Sequence, residues 1–371
     1  MTDIILRAFS NERLEGFIKE GLLKAAILMG IKDMRVQEVD TPVPGKGEIV
    51  LKVRACAVCG SDIRIFYHGN DRVTYPAIIG HEISGEVFEL GEGVEGFEAG
   101  DRLAVGADVP NMRDDWGKAG MANLCDINYA MGYQLQGGFA EYCLLNELVV
   151  NYGPVTKIPE HVSFEEASLC EPLACCINGL ELAFMQPGKS ILIIGAGPIG
   201  ILLYRTAIAF GAGTVVLTDI EEARLNLARS LEIENVFNSK ELSLPDIAAH
   251  FRDCKGGFNI VITACSSPEA QEEAVGVVSK RGVVNYFGGL PENARKISIS
   301  SNTLHYSEAF ITGSHGSTPR QHRLAMKIIA DERIDVKSLV SHVFRLDDII
   351  DAFNVVEQRK GLKVIIKPHQ N

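Results

Sequence analysis

The stretch SILIIGAGPIG, residues 190–200, decides the fold of this chain. Residues 190–194 have the β-branched, apolar character of a buried strand, and an apolar helical segment follows the glycine-rich turn. In such a unit the first glycine makes the tight turn, the second lets a pyrophosphate approach the backbone, and the third lets helix and strand pack closely. The stretch predicts a dinucleotide site whose contacts come from Gly195, Gly197, Pro198, Ile199 and Gly200.

An acidic residue ends the next predicted strand. Asp219 closes the segment TVVLTD and stands 19 residues after Gly200. An acid there accepts hydrogen bonds from ribose hydroxyls and repels a 2′-phosphate. Because residues 220–222 are Ile-Glu-Glu rather than arginines, the sequence favours NAD over NADP. Arg224 completes the predicted cofactor-binding set.

The pattern on either side of this unit divides the chain into two parts. Short β-branched runs separated by Pro-Gly and Gly-Asp pairs fill residues 23–142, which predicts a β-rich domain. Strands and helices alternate over residues 173–315, which predicts a parallel sheet with crossover helices. Residues 1–22 predict either a helix that packs on the body or on a partner subunit, or a frayed end.

Composition excludes several classes of function. The net charge of −12 over 371 residues argues against nucleic acid or an anionic membrane as the main partner. The weakly charged run at residues 191–217 contains glycines and a proline, so we expect a strand, turn and helix there rather than a membrane span. An odd count of nine cysteines and no predicted secretory signal indicate reduced thiols in a cytoplasmic protein.

Three residues upstream of the glycine turn are of types that bind zinc. Cys59 lies in ACAVCGSD, and His81 and Glu82 follow an apolar strand 22 residues later. A catalytic zinc site needs three protein ligands and one open position. Each residue alone has an ordinary explanation, as a buried thiol, a loop histidine or a surface acid.

Their order with other motifs is more specific. The six motifs, in chain order, are CGSD (59–62), GHE (80–82), GEGVEGFEAGDR (91–102), GGFAEY (137–142), EPL (171–173) and GAGPIG (195–200). This order resembles the zinc-dependent medium-chain dehydrogenase/reductase superfamily, and most of all its sorbitol (polyol) dehydrogenase-like branch. The resemblance implies an α/β fold in three segments: an N-terminal extension (1–22), a β-rich GroES-like catalytic domain (23–172 and 317–371), and a Rossmann domain with a doubly wound parallel sheet (173–316).

The resemblance also implies roles for individual residues. Cys59 and His81 are expected to bind one catalytic zinc, with Glu82 as the third protein ligand. Glu171 of the EPL motif is expected to face the metal and bind it directly or through water. Ser61 is expected to accept the proton of the substrate hydroxyl.

Glu171 lies in the cysteine-rich stretch SLCEPLACC, residues 168–176. Cys170 is a rival ligand, because classical alcohol dehydrogenases place a cysteine ligand in this region. Cys175 and Cys176 are expected to pack in a core.

Two departures from the family pattern are visible. Most zinc members bind a second, structural zinc through four cysteines after GDR, whereas here Asn111, Asp114 and Gly117 stand at the first three positions and only Cys125 remains. We predict no structural zinc, a lobe held by packing, and greater mobility of that lobe.

The second departure concerns proton transfer. The family relay ends on a histidine five residues after the ligand cysteine, where this chain has Arg64, and guanidinium cannot accept a proton. The relay then either leaves through water or uses His68 or Glu171. Arg64 is expected either to contact a cofactor phosphate or to be an ordinary surface residue.

The sequence therefore predicts an NAD- and zinc-dependent dehydrogenase of a polyol or another secondary alcohol. L-Threonine or amino-alcohol oxidation is the alternative, and a non-catalytic NAD-binding relative is the third hypothesis. The expected substrate is a small molecule, with no nucleic acid or membrane partner. Phe66, Tyr67 and Phe139 are candidates for pocket walls or for core packing. The resemblance implies a homodimer or homotetramer, paired through strands near residues 283–312.

Overall fold

The computed structural model describes residues 21–369, so the predicted N-terminal extension lies almost wholly outside the described residues. The chain forms two compact units. Among the described residues, one contains residues 21–171 together with Ser317–Glu332 and residues 339–369, and the other contains Pro172–Gly316 and Arg333–Ser338.

Both units contain β-strands. In chain order they are β1 (Leu22–Gly30), β2 (Asp33–Asp40), β3 (Ile49–Ala57), β4 (Glu82–Leu90), β5 (Arg102–Val105), β6 (Asp108–Val109), β7 (Tyr129–Ala130), β8 (Tyr142–Leu145), β9 (Val155–Lys157), β10 (Ile191–Ile194), β11 (Val215–Asp219), β12 (Val236–Asn238), β13 (Phe258–Thr263), β14 (Val278–Tyr286), β15 (Phe310–Gly313), β16 (Val340–Arg345) and β17 (Lys363–Lys367).

The α-helices lie mostly between the later strands. They are α1 (Gly60–His68), α2 (Asp115–Lys118), α3 (Glu147–Tyr152), α4 (Phe164–Ser168), α5 (Cys170–Leu182), α6 (Pro198–Ala209), α7 (Glu222–Ser230), α8 (Leu244–His250), α9 (Pro268–Gly276), α10 (Ser301–Ser307), α11 (Pro319–Ala330) and α12 (Ile349–Glu357). No helix in residues 21–369 is long and apolar enough to cross a membrane.

The first unit is built on a sheet in the order β16-β17-β3-β4-β5-β9, with β8 also paired to β3. The β16–β17 pair is parallel and the other pairs are antiparallel. Its core includes Phe66, Phe139 and Phe353, whose rings meet edge to face at centroid distances of 5.5 Å and 5.8 Å. Phe66 and Phe139, considered above as pocket walls, therefore pack in the core.

The second unit contains the parallel sheet that the alternating pattern predicts. Its order is β12-β11-β10-β13-β14-β15, and every pair is parallel. All four residues of β10 are buried, as expected for a central strand covered on both faces. The predicted fold class, a β-rich domain plus a doubly wound Rossmann sheet, is confirmed.

A buried histidine in the first unit makes stability depend on pH. His322, on α11, is fully buried; its Nδ1 lies 2.9 Å from Thr156 Oγ1, and its Nε2 has no hydrogen-bond partner among the described residues. Burial, reinforced by the charge of Arg323, lowers the pKa of His322 from 6.5 to about 3. The unfolded chain therefore binds more protons than the folded chain between these values, and stability falls as the pH drops from 6.5 towards 3.

We expect His322→Asn to remove this contribution, whose slope reaches about 1.4 kcal/mol per pH unit within that window. Urea unfolding of the wild type and the variant between pH 7.5 and 4.5 measures the difference in slope. The exposed His161 gives a control, because His161→Asn should follow the wild-type slope. Parallel slopes for the wild type and His322→Asn would contradict the prediction.

Candidate active site

Pairing of two strands brings the candidate zinc ligands together. Ala57, at the end of β3, is paired with Glu82, at the start of β4. The chain continues from Ala57 to Cys59, which is the N-cap residue of α1, while His81 immediately precedes β4. The register of one strand pair therefore places Cys59 at the same sheet end as His81 and Glu82, which lie more than 20 positions further along the chain.

The three side chains offer a donor set that fits zinc. The Cys59 sulfur, a His81 ring nitrogen and a Glu82 carboxylate oxygen all lie within 4.8 Å of one another. His81 and Glu82 are 4 % and 1 % exposed, and Glu82 Oε1 has no hydrogen-bond partner among the described residues. A buried acceptor without a partner is costly unless a cation or donor meets it, and thiolate, imidazole and carboxylate are the common zinc ligands.

Asp62 orients two of these ligands and was missed by the sequence reasoning. Its side chain is fully buried; Oδ2 accepts a 2.9 Å hydrogen bond from the Cys59 amide, and Oδ1 lies 3.4 Å from His81 Nδ1. A carboxylate on one ring nitrogen leaves the other for a metal. Burial lowers the pKa of His81, but Asp62 and Cys59 outweigh it and hold that pKa well above 6.5. The signal was present in the sequence, since Asp62 ends the CGSD motif.

A buried lysine holds the other oxygen of Glu82. Lys363, on β17, is 4 % exposed and donates from Nζ to Glu82 Oε2, with the Val58 carbonyl at 3.4 Å. Burial lowers the pKa of Lys363, but the charges of Glu82, Cys59 and Glu171 raise it above 10.5 overall. Lys363 is thus a cation next to the ligand cluster. The sequence reasoning missed it, because it lies 281 residues from Glu82.

Of the other two predicted catalytic residues, Ser61 contacts the ligand cluster and Glu171 lies outside it. Ser61 Oγ is 3.4 Å from His81 Nε2, so its hydroxyl faces the predicted metal position. Glu171 is 6 % exposed and acts electrostatically on Lys363, but it is outside the group whose ligand atoms approach within 4.8 Å. Its direct or water-mediated contact with zinc stays a prediction. Arg64 and His68 are exposed on α1.

The cysteines of SLCEPLACC lie on α5. Cys170 is fully buried, its Sγ lies 3.2 Å from the His322 carbonyl, and burial raises its pKa well above 9.0. A thiol held in its protonated form is a poor metal ligand, which disfavours it as the rival of Glu171. Cys176 is also fully buried, and Cys175 is half-buried.

The lobe at residues 110–128, which in most zinc members of the family binds a structural zinc, does not have side chains that fit that metal here. Asp114 accepts hydrogen bonds from the Asn111 side chain at 2.8 Å and from the amides of Gly117 and Asp126 at 2.7 Å and 2.9 Å. A carboxylate and an amide thus bind one another and the backbone where thiolates would bind zinc. The prediction that packing holds this lobe stays a prediction, and these hydrogen bonds add to it. Within residues 21–369, Cys59, His81 and Glu82 are the one group of three or more such ligands.

The glycine turn of the second unit has the shape expected for a phosphate-binding loop. Gly195 has φ +116°, and a Cβ at Gly200 would lie 1.8 Å from the Gly195 carbonyl oxygen. Only glycine permits both, so α6 can begin directly against the end of β10. Gly197 is its N-cap residue, Pro198 occupies the first turn, and the free amides of this helix end face the turn.

Asp219 contributes to the same turn. One oxygen accepts from the Ala196 amide at 2.8 Å, and the other accepts from the amides of Ile220 and Glu221 at 2.7 Å and 3.0 Å. Asp219 Oδ2 accepts only one of these hydrogen bonds and can accept another, so a ribose hydroxyl is still a possible partner. Arg224 Nη1 lies 3.8 Å from Asp219 Oδ2 and close to Gly197.

Comparison with known proteins decides the family. Residues 45–158 match the model of the alcohol dehydrogenase GroES-like domain, and residues 198–331 match the zinc-binding dehydrogenase model. The probable D-xylulose reductase A of Aspergillus clavatus is 30% identical over 350 residues, covering 92% of this chain and 95% of that protein. The chain belongs to the zinc-dependent medium-chain dehydrogenase superfamily.

Two further similarities place this dehydrogenase within the superfamily. The sorbitol dehydrogenase of Bacillus subtilis is 29% identical over 355 residues, covering 94% of this chain and 98% of that protein. A putative zinc-binding dehydrogenase of Sinorhizobium meliloti, solved with NADP bound, is 28% identical with a TM-score of 0.85, covering 94% and 100% of the two chains. The chain is an alcohol dehydrogenase of the sorbitol dehydrogenase-like branch that uses zinc and a nicotinamide cofactor.

Proposed function

We propose that this dehydrogenase oxidises a polyol, or another secondary alcohol with a neighbouring hydroxyl, to a ketone with NAD, and catalyses the reverse reduction. The observation that carries the proposal is the Cys59–His81–Glu82 cluster, in which His81 and Glu82 are buried, with Ser61 beside it. Similarity to proteins named for sorbitol and D-xylulose supports the same class of substrate.

Cys59, His81 and Glu82 would hold one zinc, with Glu171 facing it directly or through water. A zinc ion supplies Lewis acidity that lowers the pKa of an alcohol, and the nicotinamide supplies the hydride acceptor. Ser61 accepts the proton through a hydrogen bond. Because Arg64 is exposed and cannot accept it, the proton passes onward through water or through Glu171 or His68.

NAD is the proposed cofactor because of the charge near the glycine turn. Asp219 is 8 % exposed and adjoins Glu221 and Glu222. A 2′-phosphate placed against the Asp219 carboxylate would meet like charge with little solvent to screen it. Arg224 lies next to Asp219, and this carboxylate neutralises part of the arginine charge that could otherwise bind a 2′-phosphate.

We also infer a homodimer or homotetramer. Strand β15 is the edge of the parallel sheet, and its Phe310 is 50 % exposed. An unpaired sheet edge with an exposed aromatic residue is suited to pairing with a second copy. A cytoplasmic location stays a prediction.

Absorbance-monitored NAD reduction with sorbitol, xylitol, 2-propanol and L-threonine tests the proposal. We expect kcat/KM for at least one polyol to exceed that for 2-propanol and threonine by about tenfold or more. We expect NAD to be preferred over NADP by roughly 100-fold, because like charges in a poorly solvated site repel by several kcal/mol.

If threonine were turned over in preference to the polyols, the proposed substrate class would be an amino alcohol instead of a polyol. A preference for NADP would contradict the role given to Asp219. Absence of turnover on every alcohol, in protein that contains zinc, would contradict the proposed reaction.

A further inference from the structure

A tyrosine outside all the recognised motifs lies against the zinc-ligand cluster. The ring of Tyr133 is 5.8 Å from the His81 ring, centroid to centroid, at an interplanar angle of 44°. Burial raises the pKa of the Tyr133 phenol, while His81 and a hydrogen-bond interaction with the Ser61 hydroxyl lower it. The Tyr133 ring and the hydroxyl of Ser61, the residue proposed to accept the proton, both lie beside His81, since Ser61 Oγ is 3.4 Å from His81 Nε2.

A second contact helps to fix the position of the Tyr133 ring. The Arg72 guanidinium lies 4.6 Å from the centroid of the Tyr133 ring. Arg72 in turn donates from Nη2 to the Asn128 carbonyl at 2.6 Å and to its side-chain oxygen at 2.9 Å. Asn128 is tied to β6 through a 3.0 Å hydrogen bond to Asp108. A cation over an aromatic face, itself held by two hydrogen bonds, restricts the ring to one orientation.

The chemistry of this pair of hydroxyls suits a substrate with two hydroxyls. Ser61 hydrogen-bonds the substrate hydroxyl that reacts. The Tyr133 phenol can both donate and accept a hydrogen bond, and it has no other role in the proposed reaction. We propose that Tyr133 is a specificity-determining residue that hydrogen-bonds a second hydroxyl of the substrate, next to the reacting carbon, and that Arg72 positions it. This rests on the proposed polyol dehydrogenase function.

The variant Tyr133→Phe removes one oxygen and keeps the ring. We expect kcat/KM for the best polyol to fall roughly tenfold, the value of one hydrogen bond of about 1.4 kcal/mol, while kcat/KM for 2-propanol changes less than about twofold. The Kd of the polyol for the zinc protein, measured by calorimetry without NAD, should rise by a similar factor. Metal analysis should show unchanged zinc.

Tyr142→Phe is the matched control, because the Tyr142 ring packs against Phe88 and His369 and lies outside the ligand cluster. This variant should leave kcat/KM for the polyol and for 2-propanol unchanged, as well as the Kd of the polyol. Arg72→Met should raise KM for the polyol more than it lowers kcat, and Arg72→Lys, which keeps a cation over the ring, should restore part of the loss.

Two results for Tyr133→Phe would overturn the role of Tyr133. One is an equal fall in kcat/KM for the polyol and for 2-propanol, and the other is an unchanged kcat/KM and Kd for the polyol. The binding measurement separates this inference from the proposed function. If the wild type binds a polyol without oxidising it, and Tyr133→Phe weakens that binding, the reaction is wrong and the inference stands. If the wild type oxidises 2-propanol but neither binds nor oxidises any polyol, the inference is overturned.

Discussion

Replacing Cys59 by serine is expected to remove zinc and lower turnover on the order of 10³-fold, which corresponds to about 4 kcal/mol of transition-state stabilisation. The reason is that Cys59 is the one thiol in the cluster with His81 and Glu82, and a serine hydroxyl is a far weaker zinc ligand. Metal analysis and steady-state kinetics on the same preparation measure both effects. We expect about one zinc per chain in the wild type.

Cys170→Ser is the matched control for this experiment. Cys170 is the rival ligand by sequence, but its thiol is buried beside the His322 carbonyl, to which serine can also donate. The control should keep its zinc and its turnover. Zinc retained in Cys59→Ser and lost in Cys170→Ser would contradict the ligand assignment. About two zinc ions per wild-type chain would contradict the hydrogen-bonded lobe around Asp114.

Replacing Lys363 by methionine is expected to destabilise the metal-free protein by about 3–5 kcal/mol, because it leaves the Glu82 carboxylate buried without its cation. Zinc supplies a positive charge to the same carboxylate, so we expect a smaller loss when zinc is present. Urea unfolding with zinc and with a chelator measures the two values. The loss in unfolding free energy with the chelator minus the loss with zinc shows how far zinc compensates for the missing lysine charge.

Lys367→Met, on the same strand, is the matched control. Lys367 pairs with Glu165 at 2.5 Å, but the two side chains are 34 % and 27 % exposed, so the loss should be at most about 1 kcal/mol and independent of zinc. The double variant Lys363→Met/Glu82→Gln should recover part of the stability of the metal-free protein. Equal losses in the two single lysine variants, or a Lys363→Met loss that zinc does not reduce, would refute the explanation.

The fold was predictable because it depends on local patterns. The alternation of apolar strands and helices after residue 173 predicts a parallel sheet, and the three glycines of 195–200 satisfy a steric requirement that the structure displays at Gly195 and Gly200. The order of motifs indicated the family, which the comparisons confirm. Cys59, His81 and Glu82 were candidates because their side-chain chemistry is that of zinc ligands, and their roles as ligands stay predictions.

Residues that act through a neighbour were not predictable in the same way. Asp62 lies inside a quoted motif, yet its role depends on His81, which the β3–β4 register brings next to it. The lobe shows the same limit, since its missing cysteines were visible while the Asn111–Asp114 hydrogen bond was not.

The sequence by itself determined the fold class, the cofactor turn and the types of ligand available, because periodicity, glycine positions and side-chain chemistry are local properties. Only the tertiary structure decided which groups surround those ligands. Lys363 reaches Glu82 across 281 residues, and Tyr133 reaches His81 from a turn beyond the lobe. Sheet register and chain packing create both contacts, and neither leaves a pattern in the sequence near the residues involved.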